Sequence, residues 1–374
     1  MPKIVTKIPK GFNYYYKKFF LLIIKVKNFI ILIVLFHLLK TSFEDKHKKM
    51  FSPSKNFNHR NDIKVCICTL GKNENRYIKE FIDHYKEIGV DKIFLHDNNE
   101  IEPTNESFET QISEYIKNGF VEIINYRGRK YPQFEIYSEC FKKNHKNYNW
   151  LMFFDIDEFI HLDDYSNIKD FLNEERFNKC KLIYFNCLRH TDNDLLFYDN
   201  RPLSERFPKI NWKSRSFTLK TIARSNIQKI RFTTSHWLDR RIIGCNVFGE
   251  AVIPSKLVKL KNDINQPKFK RYYIDHYCFK STEEFINKIN RGDGIFGFNN
   301  RTRMHKIKLY FEYNKITLEK INYLEQKTGL NLSEYRLKLY KSNLLLNTNF
   351  PLSNKILILY IILIINFAIL LCLE

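Results

Sequence analysis

Between residues 63 and 154 the chain alternates short apolar runs with helix-period segments, joined by short connections. Ile63–Leu70, Val90–Leu95, Phe120–Ile124 and Leu151–Phe154 are too short for helices and rich in β-branched and aromatic residues, which predicts four strands. Between the first two, Ile78, Phe81, Ile82 and Tyr85 recur at helical spacing and Gly89 closes the segment. A second helix is expected to end at Gly119 and a third to span 133–146. A β-α-β-α-β-α-β order with short links predicts a mostly parallel, Rossmann-like α/β sheet with helices on both faces. Strands buried on both faces read as unbroken apolar runs, as Leu151–Phe154 does.

That fourth run ends in acid, Asp155-Ile-Asp157-Glu158. Open α/β sheets hold ligands at the C-terminal ends of their strands. Residues two apart on an extended chain point the same way, so Asp155 and Asp157 are expected on one side, with Ile156 turned to the core. Two such carboxylates suit a divalent cation of the magnesium type, which takes one or two carboxylates plus substrate phosphates. Taken alone, an Asp-x-Asp reads equally well as a solvated acidic turn. The loops after the first strand (Thr69–Asn75) and the second (Asp97–Asn99) fall on the same edge and make a crevice. Neither G-x-G-x-x-G nor G-x-x-x-x-G-K-[ST] occurs, which argues against a dinucleotide site and a P-loop.

Beyond the acids, Ile168–Phe177 predicts a helix, and Lys181–Cys187, Phe217–Ala223 and Val252–Leu260 predict strands. Residues 188–215 show little periodicity. Tyr272–Phe279 carries His276, and Ser281-Thr-Glu-Glu284 is a capping box opening a helix that stops at Gly292. Residues 305–340 are charged and helical. The eight cysteines include no C-x-x-C pair, so neither a zinc framework nor a dense disulfide scaffold is expected. Most read as buried free thiols, with one or two disulfides allowed in an oxidising compartment.

The net charge of +21 is uneven: residues 1–60 carry 13 Lys/Arg against 2 acids. A basic flank beside an apolar segment reports membrane orientation rather than a nucleic-acid site. Residues 1–40 are read as a basic N-terminus with an uncleaved signal-anchor around Phe29–Leu39, and 41–62 as a stem. Residues 63–300 form the α/β domain and 301–345 a helical extension. Ile356–Leu373 lacks any charge and is long enough for a transmembrane helix. The expected location is a membrane, spanned once, of Golgi or ER type in a eukaryote.

Several stretches in order then resemble one family. They are Cys66-Ile-Cys-Thr-Leu-Gly-Lys-Asn-Glu74, Tyr77 through Phe94, Asp97-Asn98, Asp155-Ile-Asp-Glu-Phe159, Ile274-Asp-His276 through Phe285, and Lys288-Ile-Asn-Arg291-Gly292. From about Lys64 to Gly292 the chain resembles glycosyltransferase family 92 and its family 2-like relatives. The resemblance implies a GT-A fold and transfer of a hexose, such as galactose, from a nucleotide sugar (UDP-linked) to a glycan, glycoconjugate or other hydroxyl acceptor. It implies inversion, and a manganese or magnesium ion. Asp155 and Asp157 match the Asp-x-Asp that holds metal, ribose and diphosphate. Asp97 matches the acid that contacts the nucleoside, and Thr69 and Glu74 match the loop bordering the base. His276 is a candidate further metal ligand. Arg127, Arg129 and Lys130 follow the third strand, where they can face the diphosphate. Lys280 and Arg291 can approach phosphate, although surface salt bridges explain them as well.

Inversion needs a general base for the acceptor hydroxyl. Asp192, Asp194 and Glu205 lie in the loop region beyond the acids, and Asp194 is the choice among them. Glu158 is expected to support the metal ligands. Two other readings compete. A nucleotidyltransferase of related fold calls for a first loop richer in glycine and cations than Gly71-Lys72. A membrane module whose basic flank binds anionic lipid leaves the strand-end acids unexplained.

Overall fold

The computed structural model describes residues 63–101, 107–130, 132–211, 218–228, 230–232, 241–252, 270–292 and 299–346. The N-terminal apolar segment, the stem, most of the stretch expected as strand Val252–Leu260, and Ile356–Leu373 lie outside these residues. Among the described residues no helix is long and apolar enough to cross a membrane.

The alternation in the sequence is the alternation in space. Strand β1 (Val65–Gly71) leads to helix α1 (Asn75–Glu87), then β2 (Lys92–Asp97), the short helices α2 (Phe108–Gln111) and α3 (Ser113–Lys117), and β3 (Val121–Asn125). Helix α4 (Gln133–Asn144) and β4 (Trp150–Phe153) follow. These four strands are parallel, in the order β3-β2-β1-β4. Both faces are covered. Val65, Ile67, Trp150, Met152 and Phe154 pack with Ile78, Phe81, Ile82 and Tyr85 of α1. Cys66, Cys68, Leu151 and Phe153 pack against Ile136, Tyr137 and Phe141 of α4 on the other face. Each fully buried apolar side chain of this kind contributes about 1.5–3 kcal/mol.

The remaining strands extend the sheet with mixed polarity. They are β5 (Glu158–Leu162), β6 (Leu182–Arg189), β7 (Thr218–Arg224), β8 (Gly244–Asn246), β9 (Ala251–Val252) and β10 (Tyr272–His276). Beyond β4 the order is β7-β6-β10-β5. Strand β7 is antiparallel to β4 and β6, β10 is parallel to β6, and β5 runs antiparallel to β10. Short helices α5 (Ile168–Leu172) and α6 (Leu203–Arg206) fill the connections. Helices α7 (Thr282–Arg291), α8 (Asn300–Tyr313), α9 (Leu318–Thr328) and α10 (Ser333–Leu346) come last. They share an apolar cluster of their own, with Phe285, Ile289, Ile307, Tyr310 and Leu324 in its middle. The fold is thus α/β with a mostly parallel sheet, as expected.

Two points sharpen the expectations. Four cysteines form two disulfides, the upper number allowed from sequence, Cys68–Cys140 and Cys180–Cys245, while Cys66, Cys187 and Cys278 are not disulfide-bonded. The first bond ties β1 to the helix packed over it, a pairing that spacing does not encode. Second, Asp155 and Asp157 do not continue a strand: β4 stops at Phe153, and the acids occupy the turn into β5. Ile156 does point to the core. Gly71 makes room for it, since a Cβ there would lie 2.7 Å from Phe108 and 3.0 Å from Ile156.

Candidate active site

The turn after β4 is tied to itself. The Glu158 amide donates to the Asp155 carbonyl at 3.0 Å, and the Asp155 amide donates to Glu158 Oε2 at 3.0 Å. This reciprocal pair turns three carboxyl groups toward each other. Ligand oxygens of Asp155, Asp157 and Glu158 lie within 4.8 Å of one another. Like charges so close demand counter-ions. Lys220, in the middle of β7 and wholly buried, sits 2.7 Å from Asp155 Oδ2 and 2.8 Å from Glu158 Oε2. Lys288 of α7 reaches Asp157 at 2.5 Å, and Lys280 stands 3.6 Å from the same carboxylate. Gln133 and Tyr137 of α4 each donate to Asp155 Oδ1 at 3.2 Å.

His276 ends β10 opposite Glu158, so strand register alone brings it to the cluster. Its Nε2 is 3.6 Å from Asp157 and 3.7 Å from Glu158. Burial pulls its pKa down to about 4, against the pull of Asp157, so the ring is neutral at pH 7 and keeps a lone pair for a metal. Burial opposes ionisation of Asp157, but Lys288, Lys280 and His276 prevail and hold it well below the usual range. Asp155 is lowered too: burial opposes its charge, and Lys220 outweighs both burial and Asp157. Glu158 goes the other way, pushed up by burial and by Asp155 and Asp157 in spite of Lys220.

A cleft of about 600 Å³ opens beside this cluster. Asn73 and Glu74 from the loop after β1 and Arg76 from the first turn of α1 form one wall, and Lys280, Lys288 and Arg291 form the other. Arg291 straps the walls together, donating to the carbonyls of Lys72 and Asn73 and pairing with Glu74. Glu74 also faces Lys280 at 3.4 Å, which links it through that ammonium to Asp157.

The other residues singled out from sequence fall in different places. Asp97 is buried at the end of β2, accepting from the Asn99 amide at 2.9 Å and from Arg127 at 2.6 Å. It shapes the second loop, which in turn holds the Asn73 amide through Asn99 at 2.7 Å. Arg127 is spent on Asp97 and Glu109. Arg129 is exposed, pairs with Glu135 at 2.7 Å and lies over the Tyr126 ring. Thr69 is buried, its carbonyl accepting from His96 at 3.0 Å. Asp194 joins another network, with Lys320 of α9 at 2.9 Å. The residues brought together are Asp155, Asp157, His276 and, through Lys280, Glu74. Sequence reasoning passed over Lys220 and Lys288. The signal for Lys220 was a lone lysine inside an apolar strand; Lys288 lies in a stretch that carries the family resemblance, but no role was given to it.

The Glycosyltransferase family 92 model matches residues 61–291, more than half of the chain. A glycosyltransferase family 92 protein of Ricinus communis is 28% identical over 110 residues, covering 28% of this chain and 18% of the relative. One of Oryza sativa subsp. japonica is 27% identical over 114 residues, covering 29% and 18%. The chain thus matches about a fifth of the length of these curated relatives. Among solved structures, GalNAc-T7 with UDP, GalNAc and Mn2+ aligns with 17% identity and a TM-score of 0.27, over 36% of this chain and 24% of that one. S. aureus TarS 1–349 in complex with UDP aligns with 14% identity and a TM-score of 0.28, over 44% and 47%. On the family match, which spans every residue of the cluster and the cleft, the chain belongs to glycosyltransferase family 92.

Proposed function

We propose that the protein is a metal-dependent glycosyltransferase that moves a hexose from a nucleotide sugar, UDP-linked, to a hydroxyl acceptor with inversion. The observation that carries this reading is the convergence of three carboxyl groups beside a cation-lined cleft, at the C-terminal end of a parallel strand. Such a cluster contributes little to stability and needs three lysines to be tolerated. The residues suit a hard divalent ion such as manganese or magnesium, because oxygen ligands dominate. Two buried atoms, Glu158 Oε1 and His276 Nδ1, have no hydrogen-bond partner, so the cluster has donor capacity to spare. Asp155 and Asp157 would hold the ion, with His276 beside them. When bound, it would offset the negative charge that grows on a departing diphosphate.

The chain's own groups do the rest. The Asp155–Glu158 turn fixes the carboxylates, and Lys220 pins one oxygen of Asp155 from within the sheet. Glu74 and the loop of Asn73 form the wall against which a nucleotide would lie. Hexose and acceptor follow from the family resemblance. Two disulfides support an oxidising lumen or cell exterior for the domain, in keeping with a membrane anchor.

The test is a panel of nucleotide sugars with the full chain and Mn2+, comparing the unaltered protein with Asp155→Asn/Asp157→Asn. Hydrolysis or transfer that depends on Mn2+ and disappears in the variant supports the reading. Equal turnover by the variant overturns it. Pyrophosphate release from a nucleoside triphosphate and a sugar 1-phosphate would identify a nucleotidyltransferase instead.

A further inference from the structure

The three acids of the cluster face three ammonium groups, Lys220, Lys280 and Lys288, so the set already holds as many cations as acids. A divalent cation entering alone leaves it positive in a poorly solvated place, which is costly. A cation arriving with a diphosphate leaves it balanced. Something in the site must therefore change partners, and the three lysines differ in their freedom to do so.

Lys220 is wholly buried in a central strand between two carboxylates. Lys280 is buried as well, with its ammonium 4.0 Å from the centre of the Tyr77 ring, 3.4 Å from Glu74, and its backbone at φ +57°. A lysine in that left-handed conformation is held by its surroundings. Lys288 differs. Its side chain is 28% exposed, it stands on a regular helix, it lines the cleft, and its ion pair with Asp157 is at the cleft wall. Rotating a lysine side chain on a helix surface needs no backbone movement, and a flexible four-carbon stem carries a point charge well suited to phosphate.

We propose that Lys288 is an exchanging counter-ion: it neutralises Asp157 while the cleft is empty, and turns to the diphosphate of the incoming donor when Asp157 is claimed by a divalent cation. This rests on the proposed function, and it makes Lys288 a residue that couples metal binding to diphosphate binding. The coupling has a signature of opposite signs. Without Lys288, a cation alone meets less competition for Asp157, while a diphosphate loses one of its cations. A lysine with a purely structural role shifts both affinities in the same direction.

The experiment uses the full chain in detergent with two probes, Mn2+ alone (free Mn2+ by electron paramagnetic resonance) and Mn2+-pyrophosphate (calorimetry). For Lys288→Gln the expected result is tighter Mn2+ binding, by about three- to tenfold, and weaker pyrophosphate binding, by about tenfold, within the usual range of site-to-site coupling. Lys288→Arg, which keeps the charge, stays within about threefold of the unaltered chain on both, and it carries the test if the glutamine variant is poorly folded. Both affinities unchanged in Lys288→Gln, or both weakened together, overturns the inference. So does a loss in Lys288→Arg as large as in Lys288→Gln. Asp157→Asn in parallel separates the two levels. If it abolishes Mn2+ binding while Lys288→Gln shows no opposite shifts, the counter-ion idea fails and the transferase reading stands. If Asp157→Asn binds Mn2+ normally, the transferase reading fails with it.

Discussion

The chain contains two Asp-x-Asp sequences that meet lysines, Asp155-Ile-Asp157 and Asp192-Asn-Asp194, and they do different work. The first closes a turn between strands β4 and β5, with its acids turned toward each other and joined through Lys280 and Lys288 to the wall of a cleft. The second sits in a loop in which Asn193 and Asp194 both have positive φ, 48° and 59°. There the two carboxylates close on one lysine. Asp192 is buried against Lys320 at 2.6 Å, the Tyr310 hydroxyl and the Asn314 side chain, which accepts its amide at 2.7 Å. Asp194 meets the same Lys320 from the exposed side. One lysine with its hydrogen-bonding neighbours satisfies the second pair. The first has three lysines and still leaves Glu158 Oε1 and His276 Nδ1 unpartnered. A satisfied acid pair is a clamp, here fastening the loop to helices α8 and α9. An acid pair with spare donor atoms keeps capacity for a ligand.

Removing the carboxylates separates the two most sharply. Asp155→Asn/Asp157→Asn should lower metal-dependent turnover of a nucleotide sugar by at least about 10²–10³-fold, the loss typical of removing an electrostatic group from an active site. The fold should survive, because the variant removes charge repulsion together with three ion pairs to lysine. Asp192→Asn should leave turnover per folded molecule within a few-fold. Initial rates normalised to the folded fraction, read by circular dichroism, distinguish these outcomes. A large loss in Asp192→Asn with intact folding would erase the distinction.

The two pairs look alike on paper, and the reason shows how far a sequence reaches. The parallel half of the sheet was legible because its signals are local. Apolar runs at Val65–Gly71, Lys92–Asp97, Val121–Asn125 and Trp150–Phe153 were placed to within a residue or two, and they put Asp155 at a strand end. The mixed half depends on pairings across long separations. Strand β5 was not foreseen because its partner β10 begins at Tyr272. The cations of the site come from still farther off: Lys220 is 65 residues from Asp155, and Lys288 is 131 from Asp157. Nothing local to either lysine says which acid it will meet. His276 was legible only through the family pattern, and Asp97 was placed at the right edge although its partners make it a loop former. The role chosen for Asp194 depended on its position after the acids, and the φ angles that turn it to Lys320 are not written in Asp-Asn-Asp.

A stability measurement sharpens the clamp. Asp192 and Lys320 are 1–2% exposed, so breaking their pair leaves the buried ammonium with only the exposed Asp194 as its counter-charge. Asp192→Asn should cost about 1–3 kcal/mol, the range for a buried hydrogen-bonding group left unsatisfied. Urea unfolding followed by tryptophan fluorescence checks this. A cost under about 1 kcal/mol would mean that the loop moves away from α9 without penalty.

Acid should loosen the two regions in sequence. His84 donates from Nε2 to the Ile160 carbonyl at 3.1 Å, and His96 donates from Nδ1 to the Thr69 carbonyl at 3.0 Å. Burial lowers both pKa values from 6.5 to about 4. The unfolded chain then binds more protons than the folded one between those values. Their contribution to stability is complete above pH 6.5 and is lost as pH falls toward 4. From pH 6.5 to 5 the loss is about 2 kcal/mol for each ring. For Asp194, burial opposes ionisation but Lys320 holds the carboxyl below its usual value, so its contact weakens only under pH 3.8. Hydrogen exchange at pH 5 should therefore speed up first in β1 and β5, ahead of α8 and α9. The reverse order would place the acid-sensitive groups in the clamp.

The smallest expected effect is the most discriminating for the acceptor side. The Asp194 side chain is 57% exposed, so Asp194→Asn should change stability by no more than about 1 kcal/mol. Its carboxylate is engaged by Lys320 and held in the ionised form, a state that binds a proton poorly near pH 7. An effective base has a pKa nearer the working pH and a hydroxyl within reach. Turnover by Asp194→Asn should thus stay within about threefold of the unaltered chain. A drop of about 10²–10⁴-fold with unchanged stability, the scale of a lost general base, would instead make Asp194 the group that deprotonates the acceptor. The second Asp-x-Asp would then be part of the site, facing the acceptor while the first faces the donor.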